Sequence, residues 1–114
     1  MSKFVHLPEE TIERVTDYIT AGAYRLRSRH GFRIPAIVAG DWAEQGYSIL
    51  KTNALARQYG VQRKTMWSTI KGCIDAGFIR EIGRTEDGRA MYVPCLERGD
   101  EWHAAKTERA NEAA

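Results

Sequence analysis

Residues 52–94 read TNALARQYGVQRKTMWSTIKGCIDAGFIREIGRTEDGRAMYVP, and the spacing of their apolar residues sets the expected fold. Thr52 or Asn53 can cap a first short helix by accepting from a free backbone N–H. Leu55, Ala56 and Tyr59 form its inward face, Gly60 supplies a tight turn, and Val61 fills the angle between two helices. A second helix is expected from Arg63 to Ala76. Its inward stripe is Met66, Ile70, Cys73 and Ile74, at steps of four, three and one. Arg63, Lys64, Ser68, Lys71 and Asp75 lie on the opposite side, with Trp67 at the border. Gly77 ends this helix. Two strands follow. Phe78 to Gly83 alternates, with Phe78, Arg80 and Ile82 on one face and Ile79 and Glu81 on the other. Arg89 to Val93 places Met91 and Val93 on one face and Ala90 and Tyr92 on the other. Glu86-Asp87-Gly88 is a hairpin-turn signal, and Pro94 stops the second strand.

Upstream, Tyr47-Ser48-Ile49-Leu50 is a short apolar run suited to a small strand behind the hairpin. Pro35 to Gln45 fits a short helix with Pro35 in its first turn, Ile37, Val38 and Trp42 facing inward, and Gly46 at its end. Gly40 weakens that helix by ~1 kcal/mol relative to alanine; an irregular connection is the alternative. Pro8 to Arg27 reads as a longer helix. Glu9 and Glu10 suit its positive end, and Ile12, Val15, Ile19, Ala23 and Leu26 form its stripe, flanked by Tyr18. Arg25, Arg27 and Arg29 gather at its end, and Gly31 closes it. Dipole compensation is the favoured role for these arginines, and a secondary phosphate contact is the other. Beyond Leu96 only Trp102 is large and apolar. There the sequence predicts an alanine-rich segment with helix propensity, little face to bury, and fraying after Lys106. Trp102 would pin its start against the first helix or a second subunit.

The chain of 114 residues carries a net charge of +2 that conceals a pattern. Residues 45–74 hold Lys51, Arg57, Arg63, Lys64 and Lys71 without one carboxylate. The flanking segments are neutral or slightly acidic. A clustered positive face is the electrostatic footprint of phosphate binding, although basic groups also serve simply to solvate a surface. No apolar run is long enough to span a bilayer, and MSKFVHLPEE lacks the order of a secretory leader, so a cytoplasmic chain is expected. Cys73 and Cys95 are expected as buried thiols. Neither these nor His6, His30 and His103 show metal-ligand spacing, so no metal or other cofactor is expected.

The run Leu55 to Ile79, with its Leu55-Ala56-Arg57, Gly60-Val61, Arg63-x-Thr65 and Ala76-Gly77-Phe78-Ile79 pieces and the charged hairpin behind it, resembles bacterial winged helix-turn-helix regulators. It is also similar to the winged-helix domains of small phage and plasmid proteins. The resemblance covers residues 48–94. It implies an α+β, mostly helical fold: a winged helix-turn-helix with an N-terminal helix and a polar C-terminal extension. Residues 1–94 would form one domain, with a helical part at 8–46 and the core at 47–94. Residues 95–114 would be partly helical or disordered. Further implications are the second helix in the DNA major groove and the hairpin reaching toward backbone or minor groove.

Carried over by position, Gln62, Arg63, Trp67 and Ser68 are candidates for reading bases. Thr52, Lys64, Thr65 and Lys71, with Arg84 and Arg89 on the wing, are candidates for phosphates. The chemistry fits these roles. A groove about 12 Å wide admits one helix with a donor-rich face; arginine can pair with guanine and glutamine with adenine, and lysines and threonines suit phosphates. The family often has a small cap where Gln62 stands. Trp67 has two readings, core wedge or groove contact, and its size favours core. Glu86 and Asp87 at the wing tip would repel phosphate.

The expected function is sequence-specific double-stranded DNA binding by a small transcriptional regulator, a repressor acting as a homodimer, with no small-molecule ligand evident. The alternative is a winged-helix protein-interaction or replication-accessory module. An enzyme is disfavoured: there is no glycine-rich phosphate loop, nucleophile elbow or carboxylate pair, and Cys73 lies on an inward stripe.

Overall fold

In the computed structural model, which describes residues 4 and 6–113, the element order is α1 (Glu9–Arg25), α2 (Arg33–Gln45), α3 (Thr52–Tyr59), α4 (Arg63–Asp75), β1 (Ile79–Arg84), β2 (Ala90–Pro94) and α5 (Glu97–Ala113). The described chain is therefore α+β and mostly helical, with a two-stranded antiparallel sheet. No helix among the described residues is long and apolar enough to cross a membrane.

Two apolar clusters organise it. Ile34 and Val38 of α2, Leu55 of α3, Met66, Ile70 and Cys73 of α4, and Ile79 and Tyr92 of the hairpin fill the first. Val15, Tyr18 and Ala21 of α1, Ala39 of α2, Phe78 and Leu96 fill the second. Adjacent residues in extended backbone point to opposite sides, so Phe78 enters one cluster and Ile79 the other. In the same way α2 buries two faces, Val38 toward α3 and α4 and Ala39 toward α1. This explains its small residues: Gly40 and Ala43 are buried as well.

The α3–α4 junction follows the sequence reading. Gly60 takes φ 67°, where a Cβ is costly, and the N–H of Val61 returns to the carbonyl of Ala56 at 2.9 Å. Ser48 exchanges two 2.8 Å backbone bonds with Tyr92, so the run before α3 does add a short bridge to the hairpin. Its hydroxyl donates to Asp41 at 2.7 Å, which satisfies the buried side chain.

Several expectations are corrected. Neither Thr52 nor Asn53 caps α3; Lys51 holds the cap position, and no side chain bonds the first-turn N–H groups. α1 ends at Arg25, with Leu26 already extended, so Gly31 does not close it. Instead Gly31 lies in the turn that feeds α2, where Ile34 N–H bonds its carbonyl at 3.2 Å and lets α2 begin two residues before Pro35. The buried stripe of α1 is Val15, Tyr18, Ala21 and Gly22, and Ala23 is exposed. Ile82 also faces solvent. A register shift between Glu81 and Gly83 breaks the alternation and turns its side chain outward.

The largest correction is α5, which continues as helix to Ala113 rather than fraying after Lys106. Its start is anchored on α1, and an anchored nucleus lets alanine, glutamate, lysine and arginine propagate the helix. Leu96 enters the second cluster and Trp102 packs against it, its ring stacked on Tyr24 at 6.0 Å. Arg14 donates to both carboxylate oxygens of Asp100, at 3.1 and 2.6 Å. The two helices approach at Gly99, where an added Cβ would lie 2.4 Å from the Tyr18 backbone nitrogen. Backbone cannot yield as a side-chain tip can. Gly99→Ala should therefore lower unfolding free energy by about 1–3 kcal/mol, read as a shifted urea midpoint; an unchanged midpoint would show that α5 does not sit against α1 in this way.

Burial also sets a pH dependence. The Cys73 thiol is pushed up to about 11 by its apolar surroundings, and burial pushes Tyr18 and Cys95 in the same direction. An unfolded cysteine titrates near about 8.5. The fold thus favours the protonated thiol, and that contribution is complete below about pH 8.5 and lost as pH rises through the folded value. Urea midpoints should fall between about pH 8.5 and 11, with the native thiols slow toward a disulfide reagent at the lower end.

Candidate functional site

The elements around α4 gather three of the five basic residues of the acid-free window, Lys51, Arg57 and Arg63, beside that helix. Met66, Ile70 and Cys73 are turned inward. Helical geometry therefore turns Gln62, Arg63, Lys64, Thr65, Trp67, Ser68 and Lys71 outward, and all are exposed. Gln62 holds the cap position with extended backbone, and its side chain makes no capping bond. The first-turn N–H groups of α3 and α4 are thus both left to outside partners, each at the positive end of a helix.

Between α3, α4 and the hairpin lies a cleft of about 540 Å³. Thr52, Arg63, Trp67, Arg84 and Arg89 all line it. Five of the ten sequence-predicted site residues are thus brought together although up to 37 positions separate them. Lys51, Asn53 and Arg57 line it too and were not singled out from the sequence. The signal for Lys51 and Arg57 was present, since both fall in the acid-free window. What was missing was the hairpin's position, which turns a charged face into a cleft. No carboxylate among the described residues lines it.

The hairpin arginines are partly committed. Arg84 donates to the Gly88 carbonyl at 2.9 Å and pairs with Glu81 at 3.4 Å, while Arg89 pairs with Asp87 at 3.2 Å. Thr85 donates to Asp87, and its hydroxyl also receives the Arg89 N–H at 3.0 Å. The Thr85 hydroxyl, with Arg89 beside it, holds the Asp87 carboxyl below the usual range. Asp87 keeps its charge, and the Arg89 guanidinium at 3.2 Å offsets part of it within the turn. These pairs are exposed, and exposed pairs exchange partners at little cost. Lys51, Arg57, Arg63 and Lys64 have no ion partner among the described residues.

Trp67 corrects the reading as core. It is 45% exposed, with one side on the cleft. Lys71 is paired along α4 with Asp75 at 3.4 Å. Ser68 lies away from the cleft, in a groove of about 260 Å³ on the other flank of α4 with Thr69, Gly72, Arg25 and Arg27. Arg25 and Arg27 thus come beside the outward face of α4. Periodicity could not show this, because the loop's direction after Leu26 depends on packing. Gln62, Lys64, Thr65 and Lys71 line neither hollow.

Cys73 is buried in the first cluster and its thiol is raised by burial, so it carries no thiolate near neutrality. Cys95 is also buried and free. Among the described residues no group of three metal-ligating side chains gathers. No protein-family model, curated protein or solved structure matches the chain.

Proposed function

We propose that the chain binds double-stranded DNA sequence-specifically and acts as a small transcriptional regulator, a repressor, with α4 in the major groove. In this reading α3, α4 and the β1–β2 hairpin are a winged helix-turn-helix. The observation that carries it is the carboxylate-free cleft beside α4, where Lys51, Arg57 and Arg63 stand without ion partners next to the uncapped start of α3. Arg25 and Arg27 on the other flank give α4 basic neighbours on both sides, which suits a helix lying between two phosphate strands. Arg63 and Gln62 then face base edges, with Lys64 and Thr65 near phosphates.

A homodimer acting in the cytoplasm belongs to the same proposal. Its interface would have to use what remains of α1 and α5 after they pack on each other, where Tyr24 stays 74% exposed. A protein-adaptor or replication-accessory role competes, but such a surface has no need of a cleft matched to phosphate.

The test is selection of bound duplexes from a random pool, followed by affinity titration of the winning site. Arg57→Glu and Arg63→Glu should each weaken binding by at least about tenfold at ~100 mM salt and reduce the salt slope by about 1. Arg109→Glu on the exposed far end of α5 should leave both unchanged. Failure to enrich any duplex, or equal effects from all three changes, would reject binding through this face.

A further inference from the structure

We infer that the cleft beside α4 is a seat for an unpaired nucleotide, so that a bound duplex is held more tightly when a single-stranded overhang or junction adjoins it. This rests on the DNA-binding reading above and narrows its substrate class.

The inference starts from Trp67. Tryptophan is highly buried on average, and Trp67 is 45% exposed. Trp42 and Trp102 are both half-buried against the second cluster, and Trp102 is covered by the Tyr24 ring and by Lys106 at 5.2 Å. Trp67 has neither ring nor cation over its face among the described residues, and its indole N–H meets no acceptor there. Met66 and Ile70 already supply the inward side of the helix at this level.

What surrounds the indole has nucleotide chemistry. Arg63 is one helical turn before Trp67, on the same side of α4, and both line the cleft. Arg57 and Lys51 face them from α3 and its cap, and the free N–H groups of the α3 start open onto the same space. These groups suit a phosphate. Asn53 adds an amide that both donates and accepts, as the edge of a base requires. At about 540 Å³ the cleft is larger than a phosphate alone needs and falls in the size range of small-ligand clefts. A bare aromatic face beside a positive groove is the arrangement that stacks single-stranded bases. A base inside a duplex keeps both faces covered by its neighbours and cannot offer one to Trp67. An unpaired base can, with its phosphate on Arg57 or Lys51.

The experiment compares a short blunt duplex of the selected site with the same duplex carrying a short overhang at its 5′ or 3′ end, with 2-aminopurine at the first unpaired position. Anisotropy gives affinity and 2-aminopurine emission reports stacking. Native chain should bind one overhang form roughly 5- to 100-fold tighter than the blunt form, the range of a single base–aromatic stack, and should quench the 2-aminopurine. Trp67→Ala should bring the overhang-to-blunt ratio close to one and abolish the quench, while Trp67→Phe keeps most of both. Trp67 is exposed, so its replacement should leave the melting transition in place. Equal affinity of native chain for all forms overturns the unpaired-nucleotide seat but leaves duplex binding standing. So does a ratio that survives Trp67→Ala. Absence of binding to every form overturns both.

Discussion

Tyr18 donates its hydroxyl to the Phe78 carbonyl at 2.6 Å, and the relation between the two halves of the molecule depends on that contact. Its ring lies 5.7 Å from that of Phe78 and is fully buried. The same carbonyl receives the N–H of Cys95 at 2.9 Å. One oxygen thus ties α1 to the point where α4 turns into β1 and where β2 passes into α5. A lost buried bond of this kind costs about 1–3 kcal/mol if a polar partner is stranded. Here the carbonyl would keep its backbone donor, so the loss would fall at the lower end. The geometric consequence matters more. Gly99 can rest on the Tyr18 backbone only while Tyr18 is held in place, and α5 follows from there.

This arrangement separates charge. Glu10, Glu13, Asp17 and Asp100 gather with Arg14 and His103 around a hollow on the α1–α5 side. The cleft beside α4 is lined by arginines and a lysine without a carboxylate. Arg14 pairs with Asp100 and holds its carboxyl below the usual range through their hydrogen bond, so part of the acidic side is neutralised by structural pairing. On the cleft side Lys51, Arg57 and Arg63 have no such pairing. Unpaired cations of one sign in a concave surface raise the local potential and draw in anions. In the proposed function that anion is nucleic acid. The hairpin contributes Arg84 and Arg89 while keeping Asp87 occupied within its own turn.

How much of this was legible follows from which forces leave a mark on sequence. The α3–α4–hairpin order was readable because apolar periodicity, Gly60, Gly77 and the Asp87-Gly88 turn all agree on it. The packing of α1 and α5 was not. Close approach there is made by Gly99 against the Tyr18 backbone, and a glycine leaves no hydrophobic stripe. Choosing the α1 stripe by hydrophobicity put Ala23 in it and left Tyr18 at its flank, whereas Tyr18 is fully buried and Ala23 exposed. The α5 helix read as polar because Leu96 and Trp102 supply its large apolar contacts. At the site, the charge window contained Lys51, Arg57 and Arg63 but could not show that the hairpin closes them into a cleft, that Ser68 falls outside it, or that Trp67 stays 45% exposed on its wall. The Ile82 bulge carries no sequence signal beyond Gly83.

The most direct measurement is backbone amide mapping by NMR during titration with a duplex bearing an unpaired end. Binding through the cleft predicts shifts confined to 51–57, 62–68 and 84–90, with smaller ones at 25–28, while the acidic α1–α5 surface stays unchanged. Shifts concentrated on α1 and α5, or none at saturating DNA, would contradict it.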